Sequence, residues 1–84
     1  MHATMIWKRK GKKLVKDFEF KDFKSAMKFI NNVAMLAEKV NHHPDIILHD
    51  YCKVRINLST HSANAVTQKD RELAKLINGV MHKQ

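Results

Sequence analysis

The sequence predicts an α+β fold: one four-stranded antiparallel sheet with two helices packed on one face, in the order β-β-α-β-β-α. Two patterns set the strands. Phe18 and Phe20 alternate with Asp17 and Glu19, and Val54, Ile56 and Leu58 alternate with Lys53, Arg55 and Asn57. That period of two marks a sheet with one buried face. A third pattern sets the helices: two longer segments repeat apolar residues at three- and four-residue steps. Short polar breaks make each strand pair a hairpin, and two hairpins joined this way close most economically with both helices on the same side. Residues 1–84 form a single domain without repeats, linkers or low-complexity segments.

In chain order, His2 to Met5 reads as a loose terminus and Met5 to Lys10 as the first strand, anchored by Trp7. Gly11, set among lysines, supplies the turn. Leu14 to Phe20 is the second strand, with Lys16 interrupting its apolar row. Asp22 is an N-cap. After it, Phe23, Ala26, Met27, Ile30, Val33, Ala34, Ala37 and Val40 make one face of a long helix, Phe23 to Val40. Phe29 and Leu36 widen that stripe, which points to a second apolar contact in an oligomer. Pro44 disfavours helical geometry at His43, so the helix ends near Asn41. Ile46 to His49 is the third strand, Asp50 to Lys53 turns the chain, and Val54 to Thr60 is the fourth. Ser62 to Val66 is a loop. Thr67 and Asp70 then give a T-x-x-D cap. Leu73, Leu76, Ile77 and Val80 follow in a last helix, whose basic end at His82 and Lys83 suits its dipole.

A chain of this length buries only about 60% of its unfolded surface, so association with further copies would supplement a small core. No stretch reaches the roughly 20 apolar residues of a membrane span, and the first residues lack a signal-peptide apolar region. A lone cysteine, Cys52, suits a reducing compartment. The expected location is therefore the cytoplasm. The net charge of +8 is high, and five cations fall in one run, Lys8-Arg9-Lys10-Gly11-Lys12-Lys13. Such a run binds nucleic acid or an anionic ligand or partner, or it is a solvated hairpin tip whose charge keeps a sheet edge from pairing. A sheet without paired aromatics on a basic face argues against an RNA-binding platform, so direct nucleic-acid binding is not expected.

The chemistry concentrates in histidines. His42 and His43 sit at the exit of the long helix, and His61 closes the fourth strand. The open end of the second hairpin brings His43 and Pro44 near Thr60 and His61. Imidazole exchanges protons near neutrality, with an unperturbed pKa of about 6.5. Three imidazoles are also a common catalytic zinc set. Adjacent histidines rarely share one ion, however, because neighbouring side chains diverge, and neither a cysteine pair nor an H-E-x-x-H spacing accompanies them. No metal and no other cofactor is expected. Cys52 lies in the turn at the far end of the hairpin, which disfavours a Cys-His nucleophile. His2, His49 and His82 read as surface residues. Metal-free acid–base catalysis on a small molecule is the natural reading of His42, His43 and His61.

Glu38, His42-His43-Pro44, Tyr51, His61 and Asp70 form a spaced pattern: an acid, His-His-Pro, an aromatic, a histidine after a strand, and an aspartate. Phe18-x-Phe20-x-Asp22-Phe23, Lys39, Lys53-Val54 and Leu58-Ser59-Thr60-His61 accompany it. In these features, from about Trp7 to Ile77, the sequence resembles the pterin-4a-carbinolamine dehydratase family. Asn41 departs from the family pattern, which often has aspartate there, and Ala65 stands for a common glycine.

The resemblance implies a hydro-lyase that dehydrates 4a-hydroxytetrahydropterin to quinonoid dihydropterin, as in tetrahydrobiopterin recycling after aromatic amino-acid hydroxylation. It implies that His42 and His61 transfer protons and that His43 holds the pterin. Asn41, Pro44, Ser59 and Thr60 would line the site. Asp70 either orients a histidine or simply caps the last helix, and Glu38 is structural. The resemblance also implies a homodimer or homotetramer. Its second role is non-catalytic: dimerisation cofactor of a homeodomain transcription factor, with the nucleus as a further location.

Overall fold

The structure, a computed structural model, describes residues 2–3 and 7–82. Its elements are β1 (His2–Ala3), β2 (Lys8–Lys10), β3 (Lys13–Glu19), α1 (Phe23–Val40), β4 (Asp45–His49), β5 (Lys53–Leu58) and α2 (Gln68–His82). β1 and β2 pair with the same edge of β3, His2 opposite Glu19 and Lys8 opposite Val15. They share one sheet position, so the sheet runs β1/β2–β3–β5–β4, antiparallel throughout. This is the predicted α+β order with its first strand in two pieces. His2 and Ala3 are thus in the ladder, not loose. The expectation for Met5 and Ile6 as strand lies outside the described residues, as do the side chains of His2 and His82. Gly11, at φ 60°, opens the two-residue turn between β2 and β3, where a positive φ is least costly for glycine.

One face of the sheet carries the core. Val54, Ile56 and Leu58 of β5 and Phe18 of β3 are buried against Ala26, Phe29 and Val33 of α1 and Leu73, Ala74 and Ile77 of α2. Both helices therefore cover the same face. Phe29 packs on Phe18 and Phe20, with ring centroids 4.7 and 5.0 Å apart. The helical stripes are centred differently from the sequence reading. α1 buries Ala26, Phe29, Val33 and Ala37, while Phe23, expected in the core, is 53% exposed. Alanines at both ends of the stripe let α1 sit close enough for Phe29 to fill the middle. Leu76 of α2 also faces outward.

Lys16 has the parity of Phe18 and is buried on the core face. Its ammonium donates to Asn78 Oδ1 at 2.8 Å, an oxygen that also accepts from Trp7 Nε1 at 3.2 Å. The ammonium lies 5.3 Å from the Phe18 ring centroid, a cation–π contact that offsets part of its desolvation. Burial still holds its pKa below the ordinary lysine value.

Candidate active site

The end of α1, the end of β5 and the start of α2 meet at one end of the sheet. α1 stops in a left-handed residue, Asn41 at φ 53°. The Asn41 N–H reaches the Glu38 carbonyl and the His42 N–H reaches the Ala37 carbonyl, at 3.3 and 3.1 Å. This pair of bonds is the Schellman arrangement, and it fixes the direction in which His42 leaves the helix. On β5 the strand ends at Leu58, and Thr60 then closes a tight loop onto Ala65, with the Thr60 N–H on the Ala65 carbonyl at 2.9 Å. His61 is the first residue of that loop. The third contributor is the first turn of α2.

A cavity of about 400 Å³ opens between them, lined by Asn41, His42, His43, Pro44, Asp45, Thr60, His61, Ser62 and Lys69. Its size suits a small-molecule site. His42, His43 and His61 thus come together, as the hairpin reading expected. Ser59 does not line it: strand parity gives Thr60 the face of Leu58 and gives Ser59 the other face. Asp45, Ser62 and Lys69 were not singled out from sequence, although each adjoins a residue that was. Cys52 is buried in the turn at the opposite end of the hairpin. Among the described residues, no three His, Cys, Asp or Glu side chains gather as a metal set.

Asp70, which the sequence allowed either to orient a histidine or to cap the last helix, makes both contacts. Its Oδ1 pairs with His42 Nε2 at 2.6 Å, and its Oδ2 accepts from the Thr67 N–H at 2.9 Å and from the Thr60 hydroxyl at 2.8 Å. Thr60 and Thr67 hydroxyls are themselves 2.6 Å apart. With the Thr60 proton committed to the carboxylate, the Thr67 hydroxyl donates to Thr60, so the chain of donors runs one way, toward Asp70. The carboxylate is fully buried, which by itself would raise its pKa. The hydrogen bonds from His42, Thr67 and Thr60 outweigh that burial and hold it below the usual carboxylate range.

An ionised Asp70 only accepts, so His42 must donate from Nε2 and keep Nδ1 for other partners. His42 is 12% exposed. His43 Nε2 likewise meets Glu38 Oε2, but in a pair open to solvent on both sides. Glu38, in the last turn of the helix, therefore also contacts the ring of His43. His61 is exposed and makes no side-chain hydrogen bond among the described residues. The site combines one half-buried, oriented imidazole, one exposed and paired, and one exposed with no side-chain partner among the described residues.

Known proteins resemble this chain in sequence and in fold. The sequence profile of the family described as pterin 4 alpha carbinolamine dehydratase matches residues 1–80. A Thermomicrobium roseum protein, provisionally named pterin-4-alpha-carbinolamine dehydratase, is 46% identical over 69 residues, covering 82% of this chain and 73% of its own length. A Sulfurisphaera tokodaii protein with the same provisional name is 44% identical over 75 residues, covering 89% and 80%. The crystal structure of a transcriptional coactivator/pterin dehydratase from Brucella melitensis superposes with a TM-score of 0.82 at 36% identity, covering 88% of this chain and 80% of that one. A pterin dehydratase-like protein, a RuBisCO assembly factor of the alpha-carboxysome, shares the fold with a TM-score of 0.76 at 24% identity, covering 93% and 94%.

Proposed function

The chain belongs to the pterin 4 alpha carbinolamine dehydratase family, and from that premise we propose that it removes water from 4a-hydroxytetrahydropterin to give quinonoid dihydropterin. The observation that carries the proposal is the His42–Asp70 pair in a cavity that His61 also lines. The C4a–O bond breaks as the departing hydroxyl takes a proton, and the N5 proton leaves as the C4a=N5 double bond forms. One group must give a proton and another take one, with no net change. His42 and His61 are the two groups, one giving and one taking a proton. His42 works through Nδ1, since Asp70 occupies Nε2. His43, held by Glu38, contacts the ring, with Asn41, Pro44 and Thr60 beside it. This ring chemistry is common to the 4a-hydroxytetrahydropterins, the biopterin form of cofactor recycling included.

The test is spectroscopic: purified chain added to freshly generated 4a-hydroxytetrahydropterin speeds formation of the quinonoid product, before and after dialysis against a chelator. No acceleration over buffer excludes the dehydratase reading, and loss on dialysis that zinc restores brings back a metal centre.

A second reading has its own observation. Phe23, Met35 and Val40 of α1 and Leu76 of α2 are exposed, Met35 at 70%. These scattered apolar side chains are compatible with self-association as a dimer or tetramer and, equally, with a non-catalytic binding role toward a transcription factor. Light scattering at micromolar concentration is expected to give at least a dimer mass. A strictly monomeric mass leaves the helical surface to a different partner. No described helix is long and apolar enough to cross a membrane.

A further inference from the structure

Thr60 is bonded to both arms of the site. Its main chain holds the loop that carries His61. The Thr60 N–H donates to the Ala65 carbonyl at 2.9 Å, and the Thr60 carbonyl accepts from the Ala63 and Ala65 N–H groups at 3.1 and 3.4 Å. These bonds close the loop into a bridge between Thr60 and Ala65. Asn64, at φ 51°, takes the left-handed conformation inside it, which asparagine tolerates better than most residues.

The Thr60 side chain holds the other arm. Its hydroxyl donates to Asp70 Oδ2 at 2.8 Å, on the carboxylate whose Oδ1 pairs with His42. The Thr67 hydroxyl, 2.6 Å behind, donates to Thr60 and keeps the Thr60 proton directed at Asp70. Neither packing nor capping calls for that hydroxyl. Thr60 has the core-facing parity of Leu58 and is 7% exposed, so an apolar β-branched side chain would serve the packing. The Thr67 N–H already reaches Oδ2 at 2.9 Å and makes the cap by itself. What the Thr60 hydroxyl adds is a second donor to the same oxygen, from a different element. Two donors on Oδ2 hold the carboxylate against rotation and keep Oδ1 aimed at His42 Nε2.

We propose that Thr60 is a positioning residue: its hydroxyl locks the Asp70 carboxylate toward His42 while its main chain fixes the loop of His61, so that one residue sets the two imidazoles relative to each other. The Thr67 hydroxyl supports it by fixing the direction of the Thr60 proton. This rests on reading His42 and His61 as the proton-transfer pair. It gives a part in the chemistry to Thr60, otherwise a lining residue, and to Thr67, otherwise a cap.

The experiment compares Thr60→Val, which keeps the shape and removes the hydroxyl, with Thr60→Ser, which keeps the hydroxyl. Each is first shown to be folded by circular dichroism, and Thr60→Ala takes the place of a valine variant that does not fold. Thr60→Val is expected to lower kcat for 4a-hydroxytetrahydropterin dehydration roughly tenfold with KM little changed, on the scale of losing an outer hydrogen-bond partner at an oriented histidine. Thr60→Ser is expected to recover most of that loss, and Thr67→Val to show a smaller one. In an Asp70→Asn background Thr60→Val is expected to add little, because it acts through the carboxylate. A lower Tm with native kcat in Thr60→Val overturns the proposal. So does a serine variant as slow as the valine one, or losses that multiply in the double variant. A readout without turnover separates this proposal from the dehydratase reading. The His42 Nε2–H proton, bonded to Asp70, is expected as a resolved downfield NMR signal in the native chain and in Thr60→Ser, broadened by exchange with water in Thr60→Val. If the native chain turns over no substrate, the dehydratase reading falls and this signal alone decides the positioning: an unchanged signal in Thr60→Val overturns it.

Discussion

His42→Ala and His61→Ala are each expected to lower kcat for 4a-hydroxytetrahydropterin dehydration by about 10²- to 10⁴-fold, the usual worth of general acid–base assistance, with a smaller effect on KM. The two imidazoles divide one proton donation and one proton removal, so losing either leaves water to supply the missing half. Losing both is expected to leave almost nothing above the uncatalysed rate. His43→Ala contrasts with them: its ring is exposed and held by Glu38, and its loss should raise KM more than it lowers kcat. The His42 side chain is the least exposed of the His–acid pairs' imidazoles and is tied to a buried acid, so circular dichroism and a melting curve must accompany the kinetics of that variant. His61 is exposed and makes no side-chain hydrogen bond among the described residues, which makes its kinetic loss the cleaner reading. Near-normal turnover by the double variant ends the catalytic assignment and leaves the exposed helical surface, and a binding role, as the leading account.

How far the site was legible follows from which of its contacts are local. The long helix was readable to the residue because its limits are chemical signals close at hand: Asp22 accepts from the Ser25 N–H at 2.7 Å, and Pro44 disfavours helical geometry at His43. The meeting of His43 with His61 was readable because a hairpin has only one open end. The stripe of α1 was readable as a stripe, but periodicity cannot say which of Phe23 and Phe29 lies at its centre; the rings of Phe18 on β3 and of Phe20 just after it decide that. Lys16 broke an apolar row with no visible reason, because its acceptor, Asn78, lies 62 residues away. Ser59 was grouped with Thr60 by adjacency, where strand parity separates them. Lys69 carried no signal of its own and enters the cavity only because Asp70 beside it is anchored inward.

Asp70→Asn is the substitution in which structure and chemistry should fail together. The side chain keeps its size but can satisfy only one of its two sides. If its carbonyl oxygen continues to accept from His42 Nε2, its NH₂ group faces the Thr67 N–H, donor against donor, and loses the Thr60 proton. If it turns over, the cap is restored, but the NH₂ group then points at His42, which must accept at Nε2 and carry its proton on Nδ1. That tautomer is wrong for a base working through Nδ1. Turnover is therefore expected to fall by roughly 10- to 100-fold, comparable to the loss of an outer hydrogen-bond partner at other oriented histidines. Stability is expected to fall by about 1–3 kcal/mol, the usual cost of an unsatisfied buried polar group. For a domain of this size each kcal/mol lowers Tm by about 4–8 °C. The pH dependence carries an independent mark. Asp70 has a folded pKa below its unfolded value of about 3.9, so its contribution is complete well above that value and disappears as pH falls through the folded pKa. The native chain should lose stability on acidification through that range, while Asp70→Asn, already without the carboxylate, should lose less. Melting curves from neutral pH to about pH 3, run beside steady-state kinetics, decide between the two roles. A fall in Tm with unchanged turnover would make Asp70 a cap alone, and a fall in turnover with unchanged Tm would make it a histidine partner alone.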